Sequence, residues 1–114
     1  PGQIEQVVMN LALNNAQNIE AYYKSVGRKV AIEIVTYGPG LHMLRTDTSP
    51  IKPRLSSFAM DYPEIRFSAC ENTRAAMSKA EGKPIPLIDD AKLVPSGVVR
   101  LIELQQQGYA YLKP

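Results

Sequence analysis

Ile65-Arg66-Phe67-Ser68-Ala69-Cys70-Glu71-Asn72-Thr73 is the stretch that decides the fold. Residues 65–69 predict a short buried strand, and Asn72 or Thr73 is placed to cap a helix that runs on through Ala75, Ala76 and Met77. The only cysteine of the chain, Cys70, falls at the junction. A strand that turns into a helix there sets the sulfur beside unpaired backbone N–H groups and the positive end of the helix dipole. That setting favours thiolate over thiol, which makes Cys70 the first candidate for chemistry. The alternative is an inert buried thiol, since free cysteine is among the most buried residue types.

Working outward, the flanks alternate between the two periodicities. Ile4, Val8, Leu11, Asn15, Ile19, Tyr22 and Val26 recur at helical spacing, predicting a helix over 4–26 with Gly27 as its stop. Asn14, Asn15 and Asn18 interrupt its apolar stripe, and their simplest duty is to fasten the helix to a neighbouring loop. Residues 29–37 are a β-branched run that reads as an interior strand, closed by Gly38-Pro39-Gly40. A helical turn is expected at 41–45. A second helix is expected with Ser49 as its cap and Pro50 at its first position.

Downstream of the central stretch, Gly82 ends the Cys70 helix and Leu93-Val94 is a short strand. Ser96 caps a last helix carrying Val98, Val99, Leu101, Ile102 and Leu104. Tyr109-Ala110-Tyr111-Leu112 reads as a final edge strand. Four strands alternating with helices predict an α/β domain with a mostly parallel sheet covered on both faces. With 114 residues and no linker or repeat, the chain is one domain over 1–114. Ligands of such sheets bind beyond the carboxyl ends of the strands. Three segments meet at that edge: Gly38-Pro39-Gly40, Cys70-Glu71-Asn72-Thr73 and Pro95-Ser96-Gly97.

Composition narrows the functional classes. A net charge of +2 without a basic cluster gives no footprint for nucleic acid. No apolar run approaches the roughly 20 residues of a membrane span. One cysteine and one histidine are too few soft ligands for a metal site. Gly38-Pro39-Gly40 lacks the spacing and the lysine of a nucleotide loop, so no cofactor is expected. His42, two residues past Gly40, is a candidate proton carrier, with a packing role as the alternative. Pairing it with Cys70 as a hydrolase dyad has no support from spacing. Arg74, one turn beyond Cys70, is placed to hold a sulfur anion, while the adjacent Glu71 opposes that.

Four motifs in register resemble the DsrE/DsrF-like sulfur-relay family, of the intracellular sulfur oxidation type. They are Ala12-Leu13-Asn14-Asn15-Ala16-Gln17-Asn18, Tyr37-Gly38-Pro39-Gly40, Ala69-Cys70-Glu71-Asn72-Thr73 and the tail from Val94-Pro95-Ser96-Gly97 through Gly108-Tyr109-Ala110-Tyr111. The resemblance covers nearly the whole chain. It implies a flavodoxin-like three-layer sandwich with a five-stranded parallel sheet, and assembly into homotrimers or homohexamers. It further implies a persulfide-carrying cysteine, here Cys70, served by sulfur-donor and sulfur-acceptor proteins. The family fold also has an inner strand ahead of the first helix. Pro1-Gly2 stands where the loop after that strand belongs, leaving the 29–37 strand without a neighbour. About eight to twelve further residues upstream, or another subunit, are expected to fill the gap.

The expectation is thus a sulfur-relay protein, a carrier rather than a turnover enzyme. The alternatives are an oligomeric scaffold with a structural cysteine and a small-ligand binder at the strand-end crevice. The expected compartment is the cytoplasm, or the periplasm if an upstream signal peptide has been removed.

Overall fold

The computed structural model describes residues 2–114. Its elements run α1 (Gly2–Ser25), β1 (Glu33–Thr36), a 3-10 helix (Gly38–Leu44), α2 (Lys52–Asp61), β2 (Arg66–Cys70), α3 (Glu71–Glu81), β3 (Ala91–Val94) and α4 (Gly97–Gln106). The sheet is all parallel in the order β1-β2-β3, with Glu33 opposite Arg66 and Phe67 opposite Ala91. The α/β class and the parallel sheet are as the alternation of patterns predicts.

Side chains alternate across the sheet, and the two faces differ. Ile34, Phe67 and Ala69 point into the main core with Met9, Leu13 and Ala16 of α1, Leu55 and Phe58 of α2, and Met77 of α3. Glu33 and Ser68 point the other way, where Ser68 Oγ donates to Glu33 at 2.6 Å and Arg100 of α4 forks onto the same carboxylate at 2.7 and 2.8 Å. Three helices therefore cover one face and α4 covers the other. Burial pushes the Glu33 carboxyl up, but the hydrogen bonds from Arg100 and Ser68 outweigh it and hold the group below its usual range.

A second polar anchor sits where the 3-10 helix ends. Arg45 is 1% exposed and forks onto Asp47 at 2.9 and 2.8 Å and onto Glu81 at 2.6 and 2.9 Å. It ties the loop after β1 to the end of α3. These hydrogen bonds hold the Asp47 carboxyl far below the ordinary range.

Several expectations are corrected. Among the described residues the sheet has three strands: residues 109–112 form no strand, because no strand lies beside them to complete a ladder. The strand at 29–37 shortens to 33–36, and it does have a neighbour, since β1 pairs directly with β2. Gly2 is the first residue of α1 rather than part of a loop, and Pro1 lies outside the described residues. Helix α2 starts at Lys52 with Pro53 in its first turn; Ser49 Oγ accepts instead from the Ile51 N–H at 3.4 Å in the turn before it. Asn14 fastens α1 to a helix, not a loop, by accepting from Arg54 of α2 at 2.6 Å. Among the described residues no helix is long and apolar enough to cross a membrane.

Candidate functional site

All three strands run the same way, so β1, β2 and β3 deliver their following loops to one edge. The polar groups there converge on Cys70. Neither Asn72 nor Thr73 caps α3; Cys70 itself does, and its Sγ accepts from the Thr73 N–H at 3.4 Å. Thr73 links the sulfur to the first loop as well. Its Oγ1 accepts from the Gly38 N–H at 2.9 Å, and its hydroxyl favours the Cys70 thiolate. Gly38 adopts φ 56°, a left-handed conformation that a side chain would strain, and this turns its N–H inward.

The third loop arrives through Gly97. A Cβ at this position would lie 2.8 Å from Cβ of Tyr37, so only glycine lets the start of α4 come this close to β1. The Gly97 N–H is among the groups that favour the Cys70 thiolate. Burial pushes the Cys70 thiol up, but bonds from the Thr73 hydroxyl and from the Gly97, Thr73 and Asn72 N–H groups overcome it, and the net shift is downward. The site is a small anion nest of backbone N–H groups and one hydroxyl, and Cys70 within it is only 5% exposed.

The other expected residues divide. Ser96 caps α4 as its sequence predicts, accepting from the Val99 N–H at 3.4 Å, and so holds Gly97 in place. Pro95 is an exposed turn residue beside it, and Pro39 is exposed in the 3-10 helix. Arg74 does not face the sulfur: its guanidinium donates to the Ile85 carbonyl at 3.2 Å and lies 3.9 Å from Glu71. His42 bonds Thr48 at 2.7 Å through Nδ1. Asn15 and Gly40 line a different space, the cavity beside β1. Neither of the two principal cavities is lined by Cys70. Tyr37, whose ring packs on Gly97, opens one of the four motifs but was not among the expected site residues; its place directly after β1 was the available signal.

No family model and no curated protein matches the chain. A solved structure does match: that of a protein of unknown function, MTH1491, from Methanobacterium thermoautotrophicum. It is 30% identical, with a TM-score of 0.76, over 95% of this chain and 88% of that one. An identity of this size along almost the full length, with the fold retained, reflects common descent, and the chain belongs to the family of that methanobacterial protein.

Proposed function

We propose that the protein is a sulfur carrier of the DsrE/DsrF type, holding sulfane sulfur as a persulfide on Cys70. The observation that carries this reading is the place of Cys70 at the junction of β2 and α3, where Sγ accepts from the Thr73 N–H at 3.4 Å and the surrounding backbone and hydroxyl groups hold the thiol pKa below its ordinary value. A Cys70 thiolate attacks the outer sulfur of a donor persulfide. A new S–S bond forms, the donor's S–S bond breaks, and the donor leaves as its thiolate. The acceptor thiolate then attacks the outer sulfur on Cys70, takes it as a persulfide, and releases the Cys70 thiolate. Neither step needs an oxidant or a reductant. The donors that stabilise the thiolate also suit the anionic persulfide.

A carrier of this kind works among reduced thiols, which favours the cytoplasm. Exposed apolar side chains on α1 (Ile4, Val7, Leu11) and on α4 (Val98, Val99, Ile102) support assembly into a homotrimer or homohexamer. Low exposure of Cys70 favours a second reading, in which the sulfur is simply a helix cap inside a scaffold. Intact mass spectrometry after treatment with a persulfide donor tests the two. The expected result is a gain of one sulfur mass in the wild type and none in Cys70→Ser. No gain, with Cys70 resisting alkylation in the folded protein, overturns the relay and leaves the scaffold.

A further inference from the structure

Beneath α4, on the face of the sheet that Cys70 shares, lies a buried ionic cluster that sulfur transfer itself does not use. Glu33 of β1 is its centre, with a side chain 4% exposed. Ser68 Oγ donates to the carboxylate at 2.6 Å, and Arg100 of α4 forks onto it at 2.7 and 2.8 Å. Arg66 stands farther off, at 3.8 Å, with its side chain half in solvent. Glu103 approaches Arg100 only to 3.9 Å, so Glu33 is what holds the guanidinium. Ser68 is fixed in turn, since it is fully buried and its carbonyl accepts from Thr36 Oγ1 at 3.0 Å.

The cluster joins the two elements that meet at the sulfur. Along β2, Ser68 and Cys70 are two residues apart and share one face. Cys70 lies opposite Val94 of β3, and the chain reaches the start of α4 three residues later, at Gly97. Arg100 belongs to the first turn of α4, where its N–H donates to the Ser96 carbonyl at 2.9 Å. Fixing Arg100 to Glu33 therefore fixes the turn that opens beside Cys70. The Gly97 N–H of that turn is among the groups that favour the thiolate. Such influence fades within the first turn of a helix, so a small displacement of α4 is enough to lose it. As a plain anchor, an apolar pair would serve as well, because desolvating two charges offsets much of their attraction. What the fork adds is direction, since two parallel N–H···O bonds set an angle as well as a distance.

We propose that Glu33 and Arg100 are positioning residues for Cys70, their fork setting how the first turn of α4 approaches the sulfur and so how readily Cys70 acts as a nucleophile. The proposal rests on the reading of Cys70 as a working thiolate. The two residues act through α4 and take no part in the transfer of sulfur.

The test is the pH profile of Cys70 alkylation in the folded 114-residue protein, with sulfur loading from a persulfide donor followed by intact mass on the same samples. Glu33→Gln is decisive because charge and position predict opposite signs. Removing a negative charge near a thiol favours the thiolate and would move the profile to lower pH. Slackening the fork draws the first turn of α4 away and should move the profile to higher pH, with the rate at pH 7 falling about threefold. Arg100→Lys keeps the charge but cannot fork, and it should move the profile the same way; it decides by the same criterion where Glu33→Gln does not fold. Arg66→Gln, which removes a charge near the same carboxylate without touching α4, should leave the profile in place. So should Arg45→Ala, which lowers stability through a separate network. A profile that stays put or moves to lower pH in Glu33→Gln overturns the proposal, as does an equal shift in Arg45→Ala. Sulfur loading tells this failure from failure of the carrier reading. Wild type that gains one sulfur mass while Glu33→Gln keeps its profile overturns the positioning role alone. A Cys70 that neither alkylates nor gains sulfur in folded wild type overturns both.

Discussion

The two ends of the sheet contrast. β2 has a partner on each edge, and Phe67, Ser68, Ala69 and Cys70 are all buried. β1 has a partner on one edge only, and Glu33, Ile34 and Val35 are half-buried, leaving Thr36 alone fully covered. Yet the run Val30-Ala31-Ile32-Glu33-Ile34-Val35 is the more apolar and more β-branched of the two. Burial here follows the neighbours a strand has, not its own composition. β1 carries the sequence of an interior strand in the setting of an edge strand.

The largest expected effect tests this contrast directly. Phe67 is 1% exposed and packs edge-on against Phe58 at 6.0 Å between ring centroids. Phe67→Ala should cost about 4 kcal/mol in urea unfolding. Ile34→Ala, beside the open cavity, should cost about 1.5 kcal/mol, since part of its surface is already wet. Equal costs would mean that the β1 flank is closed in solution.

Next in size is Arg45. Arg45→Ala removes the fork that joins Asp47 to Glu81 and should cost about 3 kcal/mol, as expected when one member of a buried ion network is lost. The Asp47 and Glu81 side chains remain 28% and 36% exposed, so water can reach them and the loss should stay at that lower end. A melting temperature unchanged by the substitution would show that the network contributes specificity rather than stability.

Glu33 gives a smaller and pH-dependent effect at the base of the open strand. Its folded pKa lies below the ordinary carboxylate value, so the native state stabilises the charged form. The contribution is fully present above the unfolded-state value near 4.5 and is lost as pH falls through the folded one. Wild type should therefore lose stability more steeply than Glu33→Gln on acidification from pH 5 to pH 3. At pH 7 the substitution should cost about 2 kcal/mol through weakened bonds to Arg100 and Ser68. Parallel acid-unfolding curves for the two proteins would remove Glu33 from the account.

Much of this architecture was legible because it rests on local chemistry. Helical and strand periods alternate along the chain, Ser96 caps α4, and Cys70 stands where a strand meets a helix. What was hidden depends on contacts distant in sequence. Arg45 follows an apolar stretch with nothing nearby to mark it as fully buried, because one of its two partners, Glu81, lies 36 residues away. Residues 109–112 have the pattern of a strand, but a strand is a property of a pair, and the cavity holds no partner for them. Cys70 was legible as a position but not as a cap, since sulfur is a weaker acceptor than the oxygens that usually fill that role. Arg74 is one helical turn from the sulfur in sequence, yet its guanidinium is drawn off by the Ile85 carbonyl.

The smallest stability effect is expected at Thr73, where the readout is chemical. Its hydroxyl favours the Cys70 thiolate, and its Oγ1 also accepts from the Gly38 N–H. Thr73→Val keeps the shape and the backbone N–H but deletes the hydroxyl, so the Cys70 pKa should rise. The pH profile of alkylation should move to higher pH, and the rate at pH 7 should fall several-fold while the melting temperature changes little. Thr73→Ser should restore both. The substitution also leaves the Gly38 N–H without its acceptor, so a merely structural role would show as a lower melting temperature with an unmoved alkylation profile. An unmoved profile in Thr73→Val would leave the lowered pKa to the N–H groups of Gly97, Asn72 and Thr73. The nest would then be a backbone feature that no side-chain change at this edge could retune.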